Sequence, residues 1–560
     1  MWGNRCDEVE LPPPWPLPTP ENVNEIRTDP SLKLLKFRDN DRNFRRPVAG
    51  SLGMHIEGAA CPHPDLTDSS TTLEGAMYRL GIQIPGYGKL SRPFRRFVTK
   101  WCVKNLKPLS PDTDTSVETW LHGTNYTLAR KVELLMKYHK IRDPFDPKYA
   151  IVKAFIKDEF YPEYKHARAI NSRTDEFKCL TGPIFQKIGE VLFARPEFIK
   201  KIPVHDRPKY ILDKIFQEGG KYISTDFSSF EAHFRKDVME DCEFIMYRHM
   251  TQHLPDHVQF MRLVEEVIGG ENRIEFKNII LKLVAHRMSG EMNTSSGNGF
   301  SNLMFINFIC TKLLKLKNVR TIIEGDDSLT SFCGKTPTTA QFKDFGLRIK
   351  IEEHLDMCRA SFCGMVFDIT EQANVSDPRE VLATFGWTTY RYIRSKPSVH
   401  KTLLRCKALS LAYQYPACPI LSSLARSVLR LTRSYETKNF AEKQGHHLFN
   451  QYDVELFKIA EMRNRQGKLL FEQPGPRTRS LVEELYGISV RTQVEIESYF
   501  DSLEVIGPLN HPAILSIMPE LWKTNYERYH ANLPVSSINF EYPTQLWPAL
   551  RKRVVNLSGT

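Results

Sequence analysis

Three acidic residues carry the clearest chemical signal in this 560-residue sequence. Asp226 lies in KYISTDFSSFEAHF (221–234), and Asp326 and Asp327 stand side by side in RTIIEGDDSLTSF (320–332). Carboxylates brought together from two segments suit a pair of divalent ions about 4 Å apart, which activate an attacking 3′ oxygen and stabilise a leaving group in nucleotidyl transfer. Hard ions such as Mg²⁺ or Mn²⁺ favour oxygen ligands and need few from the protein, because phosphate and water complete the shell. Asp226 and Asp326 would form that minimal pair, with Asp327 alongside. Taken singly, each segment also fits an acid in an ordinary turn.

A third segment, RMSGEMNTSSGNGFSNLMFINF (287–308), crowds Ser, Thr, Gly and Asn ahead of an apolar run. Small residues let backbone approach a ligand closely. The hydroxyls of Ser289 and Thr294 and the amide of Asn298 have the chemistry to read a ribose hydroxyl. A glycine-rich surface loop is the competing interpretation.

These groups need elements to hold them. Tyr222 to Phe227 alternates polar Ser224 and Asp226 against Ile223, Thr225 and Phe227, a strand pattern that ends at a Ser-Ser turn. Two β-prone runs flank Gly325-Asp326-Asp327, which predicts a hairpin with the acids at its tip. The run after Gly299 predicts a buried helix.

Composition narrows the setting. Lys and Arg number 77 against 66 Asp and Glu, a net +11, which makes an anionic partner plausible without identifying it. With 41% hydrophobic residues the chain can bury a large core. No apolar run approaches the ~18 residues of a membrane span. No apolar signal core opens the chain, and residues 11–20 hold six prolines, read either as an extended arm or as an unpacked leader. Eleven cysteines without a CxxC pair read as reduced thiols of a soluble protein rather than a disulfide frame or zinc module. Gly334-Lys335-Thr336 lacks the earlier glycine of a phosphate-binding loop, since position 329 is Leu329, so helicase chemistry is not expected.

The excess charge is unevenly spread. GKLSRPFRRFVTKWCVKNLK (88–107) holds seven basic residues, no acid, and Phe94, Phe97 and Trp101 between them. That suits a nucleic-acid track or an amphipathic helix with a solvated face. From Val381 to Tyr435 there are nine Lys or Arg and no acid. There Arg426, Arg430 and Arg433 recur at i, i+4, i+7 opposite Leu424, Val428 and Leu431, predicting one helix with a packed face and a phosphate-contacting stripe.

In order, these segments resemble the palm motifs of RNA-dependent RNA polymerases of positive-strand RNA viruses, most of all the flavivirus-, tombusvirus- and nodavirus-like group. Asp226 matches the first acid of motif A; Ser289, Thr294 and Asn298 match motif B; Gly325-Asp326-Asp327 matches motif C. KHARAI (165–170) resembles the basic fingertip motif, in which Lys165 and Arg168 would meet the incoming triphosphate, with Arg173 and Lys157 as helpers. KDFGLRIKIEEH (343–354) sits where motif D falls, with Lys350 or Lys343 in the position of a proton donor. SFCG (361–364) resembles motif E. One departure stands out. The family usually places a second Asp five residues after the first in motif A, and Glu231 occupies that position here.

The resemblance implies an α+β fold of the right-hand polymerase type (fingers, palm and thumb) with an antiparallel palm sheet backed by helices. The expected divisions are an N-terminal extension and fingers at 1–215, palm at 216–240, a fingers insertion at 241–280, palm again at 281–375, and thumb and C-terminal region at 376–560. It implies template-directed RNA synthesis with two Mg²⁺ or Mn²⁺ ions. Its partners would be template and product RNA, NTPs and other viral replication proteins. Its location would be host cytoplasm, at membrane-associated replication complexes or carried in virions. Ribose selection would rest on Glu231, Ser289 and Asn298. The rival readings are a reverse transcriptase, which would place a bulky aromatic gate against the 2′-hydroxyl, and a non-catalytic RNA-binding replication protein.

Overall fold

Three sheets organise the described residues of the computed structural model, which are 28–38, 49–61, 63–64, 66, 68–161, 166–389, 392–437 and 451–523. The first has the order β1 (Lys33–Phe37), β7 (Ile279–Val284), β6 (Glu271–Glu275), β3 (Ile151–Ile156), β4 (Ala169–Arg173). Its β3 and β6 run parallel, so residues that follow the Asp226 segment in sequence complete a sheet begun by the N-terminal chain. Helix α1 (Ser69–Arg79) covers it, packing Leu73, Ala76, Met77 and Leu80 against Val152, Ile274 and Leu281. The Asp68 carboxylate accepts from the Thr71 amide at 2.6 Å and sets where that helix begins.

The second sheet is wholly antiparallel, in the order β10 (Ile349–His354), β5 (Lys221–Phe227), β9 (Asp327–Cys333), β8 (Lys317–Glu324). It is the predicted strand and hairpin, with one further strand at its edge. Side-chain alternation divides its two faces. Tyr222, Ile322 and Leu329 face a small core shared with helix α4 (Arg207–Ile215), Met357 and Phe362. Phe227, Ile323 and Ile349 face the larger core, built on helix α6 (Thr294–Phe308) with α2 (Ser91–Asn105) and α5 (Glu243–Thr251) behind it; α3 (Asp175–Leu192) joins the same core. Here Phe94 stacks on Phe305 with centroids 5.2 Å apart, and Phe345 meets both rings edge-on. Each such buried ring contributes about 2–3 kcal/mol. Residues 198–215 pack on this sheet too, through the Phe198–Ile323 bridge and α4, rather than with the N-terminal sheet.

The third sheet is a two-stranded pairing of β2 (Ala49–Ser51) with β11 (Trp387–Thr389). It joins Leu52 to Cys61 to a helical core containing α7 (Pro397–Gln414), α8 (Leu421–Leu431), α10 (Pro476–Tyr486) and α11 (Val490–Ser502), while α9 (Gln451–Arg465) packs on α7. The segment 49–61 therefore belongs with the C-terminal helices. Among the described residues no helix is long and apolar enough to cross a membrane.

One reading left open by the sequence is decided for an amphipathic helix with a solvated face, and one expectation is corrected. In α2, Phe94 is buried and Phe97 and Trp101 pack against the large core, so these rings do not stack on bases; Arg92, Arg95, Arg96, Lys100 and Lys104 point outward. That face lies on the opposite side of the second sheet from Asp226, which shares the face of Tyr222 by alternation. In the arginine stripe, Leu424 and Val428 are buried as predicted, but α8 ends at Leu431 and leaves Arg433 beyond it. An acid distant in sequence also reaches the stripe. Arg426 pairs with the Asp501 carboxylate at 3.0 Å, and Arg430 donates to the Asp501 main-chain carbonyl at 3.0 Å.

Candidate active site

Asp226 is the penultimate residue of β5, exposed where its neighbours Thr225 and Phe227 are buried. One strand across, Gly325 and Asp326 form the tip of the β8–β9 hairpin, and Glu324 pairs with Asp327 at its base. Gly325 has φ +61°, a left-handed conformation that a tight turn needs and that favours glycine. By alternation Asp327 shares the face of Leu329, which is the face of Asp226. The strands are stitched beside the acids by a hydrogen bond between the hydroxyls of Thr225 and Ser328.

The turn is also held from behind. Asn302, on α6 and 0% exposed, donates through its side-chain amide to the carbonyls of Gly325, Asp326 and Asp327 at 3.2, 2.8 and 3.3 Å. In sequence it interrupts an apolar run, and that interruption was the available signal for a role that spacing alone does not reveal.

Burial raises the Asp326 carboxyl above the ordinary range, and Glu231 and Asp226 add to it while Arg168 opposes it. Burial, Asp326 and Asp226 together push Asp327 up to about 7, with a hydrogen bond from Cys363 working against them. Acids that raise one another in this way bind a cation readily, because its charge removes the mutual repulsion. Among the described residues no three His, Cys, Asp or Glu side chains converge as a preformed metal cage. The donor set is instead a sparse group of carboxylate oxygens, which fits ions that complete their shells with phosphate and water.

The cationic side comes from the loop after β3 and the start of β4. Arg168 lies 3.6 Å from Glu159, Lys157 lies 2.6 Å from the same acid, and the Lys157 amide donates to the Arg168 carbonyl at 2.8 Å. Glu159, which the sequence reading missed, thus gathers both cations. Arg168 also interacts with Glu231 and Asp326. Lys165 lies outside the described residues. Arg173 is corrected as a triphosphate helper: it is buried, bonded through Nε to Glu291 and through Nη1 to the Tyr149 carbonyl at 3.3 Å.

The 287–298 segment crosses from β4 to the start of α6. The Ser289 hydroxyl donates to the Ala169 carbonyl at 2.7 Å and accepts from the Asn171 amide at 3.2 Å. The Thr294 hydroxyl donates to the Met288 carbonyl at 2.9 Å. Both hydroxyls shape the loop. Asn298 accepts from Arg287 Nε at 2.9 Å through its amide oxygen, which turns its NH₂ donor away from Arg287. Arg287 itself is 0% exposed, paired with Glu243 at 2.7 Å and set over the Phe234 ring at 4.3 Å. Glu231 follows β5 in a short 3₁₀ turn entered through Ser229 at φ +53°, and Arg79 Nη1 meets its carboxylate at 2.8 Å.

Across the β5–β10 pair Lys350 stands opposite Asp226, whereas Lys343 closes a separate short helix, Thr339–Lys343. The Cys363 turn, at φ +53°, lies against Asp327. A cleft of about 730 Å³ opens beside Ser289 and Ser296 and is lined by Lys178, Lys200, Lys201 and Lys458. Arg426, Arg430 and Arg433 belong to the C-terminal helical core rather than to the acid cluster.

Comparison with known proteins places this geometry. The profile of a family described as viral RNA dependent RNA polymerase matches residues 165–507, more than half of the chain and the span that holds Asp226, Glu231, Asp326 and Asp327. The RNA-directed RNA polymerase of tobacco necrosis virus (strain D) is similar, 25% identical over 341 residues. That stretch covers 57% of this chain and 44% of the relative, so the match spans under half of the relative's length.

Proposed function

This chain belongs to the viral RNA dependent RNA polymerase family, and we propose from that membership that it performs template-directed RNA synthesis from NTPs in viral genome replication and transcription. The observation that carries the reading is the meeting of Asp226 and Asp327 on one face of an antiparallel sheet with Asp326 at the adjoining hairpin tip, where Arg168 opposes its charge.

The right-hand assignment follows the sheets. The second sheet with α6 is the palm (216–240 and 281–375). The first sheet is the core of the fingers, drawn from residues before 215 and from the 241–280 insertion through β6 and the start of β7, which runs on to Val284 as the chain returns to the palm, and the helical region from 376 onward is the thumb. The entry of β6 and β7 into the N-terminal sheet supports this division.

Asp226 and Asp326, with Asp327 beside them, would hold two Mg²⁺ or Mn²⁺ ions, whose chemistry when bound would be activation of the 3′ oxygen and neutralisation of the leaving pyrophosphate. The chain's own groups position the rest. Arg168, with Lys165 from the adjoining segment, offsets triphosphate charge. Lys350, opposite Asp226, is better placed than Lys343 to give a proton to the leaving group. Since the Ser289 hydroxyl is committed to the Ala169 carbonyl, ribose recognition falls to the Glu231 carboxylate as acceptor and the Asn298 NH₂ as donor. The lysine-lined cleft beside Ser289 and Ser296 suits the template strand, and Arg426, Arg430 and Arg433 suit contacts to backbone phosphate. Work with other viral replication proteins, at membrane-associated complexes in host cytoplasm or within virions, is part of the same proposal.

The test is incubation with unprimed RNA, four NTPs and Mg²⁺ or Mn²⁺, followed by sizing of the products. Asp326→Asn is expected to abolish elongation and leave RNA binding largely intact. Normal elongation by that variant overturns the assignment.

A further inference from the structure

Glu231 does not stand alone beside the acids. Its carboxylate is met by Arg79, which comes from α1, far away in sequence. The same guanidinium donates through Nε to the His166 carbonyl at 3.4 Å. One residue earlier, Tyr78 stacks on the His166 ring with centroids 3.6 Å apart and planes 19° from parallel. One turn earlier, Gly75 lets the helix touch the same segment, ahead of β4. A Cβ there would lie 2.3 Å from the Ala167 carbonyl oxygen, closer than any side chain can sit. The last two turns of α1 therefore hold residues 166 and 167, next to Arg168, and reach Glu231 at the same time.

Charge agrees with this geometry. Burial acts to raise the Glu231 carboxyl, but Arg79 and Arg168 outweigh it and hold it below the ordinary range. The acid is thus kept ionised, which leaves its carboxylate an acceptor for a ribose hydroxyl. An Asp at 231, one methylene shorter, would have to leave either the nucleotide side or Arg79.

Resting on the polymerase reading above, we propose that Arg79 is a positioning residue for nucleotide selection. It fixes the Glu231 carboxylate against the ribose 2′-hydroxyl and ties that acid to the segment carrying Arg168. Ribose and triphosphate are then gauged by one rigid unit built from α1, which lies outside the region shared with the family profile.

The experiment compares kcat/KM for an rNTP and its dNTP in single-nucleotide extension by the full chain. Arg79→Ala is expected to lower the rNTP/dNTP ratio about tenfold, the scale of one charge-assisted hydrogen bond lost. Arg79→Lys, which keeps one charged donor, restores most of it. Glu231→Gln lowers the ratio similarly, and the double variant Arg79→Ala with Glu231→Gln falls no further, because both changes break one link. A purely structural role would depress rNTP and dNTP use alike and leave the ratio unchanged; that result overturns the proposal. Should Arg79→Ala fail to fold, Arg79→Gln gives the same ratio with the side-chain volume nearly kept. A wild-type protein that makes no RNA overturns the polymerase reading itself, whereas an active one whose Arg79 variants keep their ratio overturns only this inference.

Discussion

The side-chain amide of Asn302 donates to the main-chain carbonyl of Asp326 at 2.8 Å, from the core of a helix to the tip of a hairpin. Its hydrogen bonds to Gly325 and Asp327 make one side chain the support of the whole acidic turn. Asp226 and Asp327 are also held by strand pairing, opposite Lys350 and Glu324, so Asn302 adds to the ladder a tie to the hairpin tip from the helix behind it.

Asn302→Ala is accordingly expected to leave three carbonyls without their donor, each costing about 1–3 kcal/mol where buried. Turnover should fall more than tenfold while RNA affinity stays within about twofold. Single-turnover incorporation and filter binding measure the two. Unchanged incorporation would show that the turn holds itself.

Arg287 and Glu243 form a fully buried pair, and removing one member strands the other's charge. Arg287→Met should reduce unfolding free energy by about 3–5 kcal/mol. Adding Glu243→Leu should recover much of that loss, since the apolar pair carries no uncompensated charge. Urea titrations of the single and double variants decide it; equal stabilities for both would contradict a charge-based account.

Glu74 is 2% exposed in α1, with one carboxyl oxygen lacking a hydrogen-bond partner. Burial, helped by Asp68, pushes its carboxyl from 4.5 to about 8. Below the lower value both folded and unfolded chains hold the proton, so the group is neutral to stability. Between the two values only the folded chain holds it, and stability falls as pH rises, by up to about 1.4 kcal/mol per pH unit. Glu74→Gln lacks this slope. Its melting temperature relative to the parent should rise between pH 5 and pH 8; a constant difference would mean that Glu74 is not protonated in the fold.

Asp501 masks part of the arginine stripe on α8. Asp501→Asn should tighten RNA binding at low salt and steepen the salt dependence by up to about one unit of slope. Arg430→Glu should do the reverse. Equal slopes for parent and both variants would remove α8 from the RNA path.

The elements bearing the acids were legible because strand alternation and turn chemistry are local. Tyr222 to Phe227 and the Gly325 hairpin appear where the pattern predicts them, and α6 begins at Thr294 within the small-residue cluster. What was illegible joins residues distant in sequence: Arg79 to Glu231, Glu243 to Arg287, Asp501 to Arg426. No spacing rule encodes such contacts. The aromatic residues of α2 left two readings open for a different reason. Phe94, Val98 and Cys102 fall on one helical face, and the same periodicity that makes a stacking platform also makes a core, which is what formed. Arg433 left its stripe because the helix stops two residues short of it, and boundaries depend on caps more than on periodicity.

The pairing of β2 with β11 carries a temporal consequence. On the ribosome, Ser51 emerges long before Trp387, its partner. Closing so large a loop has an entropic cost that only late contacts offset. The strands around Asp226 and Asp326 are nearer to each other in sequence than β2 is to β11, and can assemble while the remainder is still being made. Synthesis therefore yields the acidic sheet before the β2–β11 pairing, so a nascent chain stalled before residue 387 holds the acids without the strand that ties residues 49–51 to the C-terminal helices.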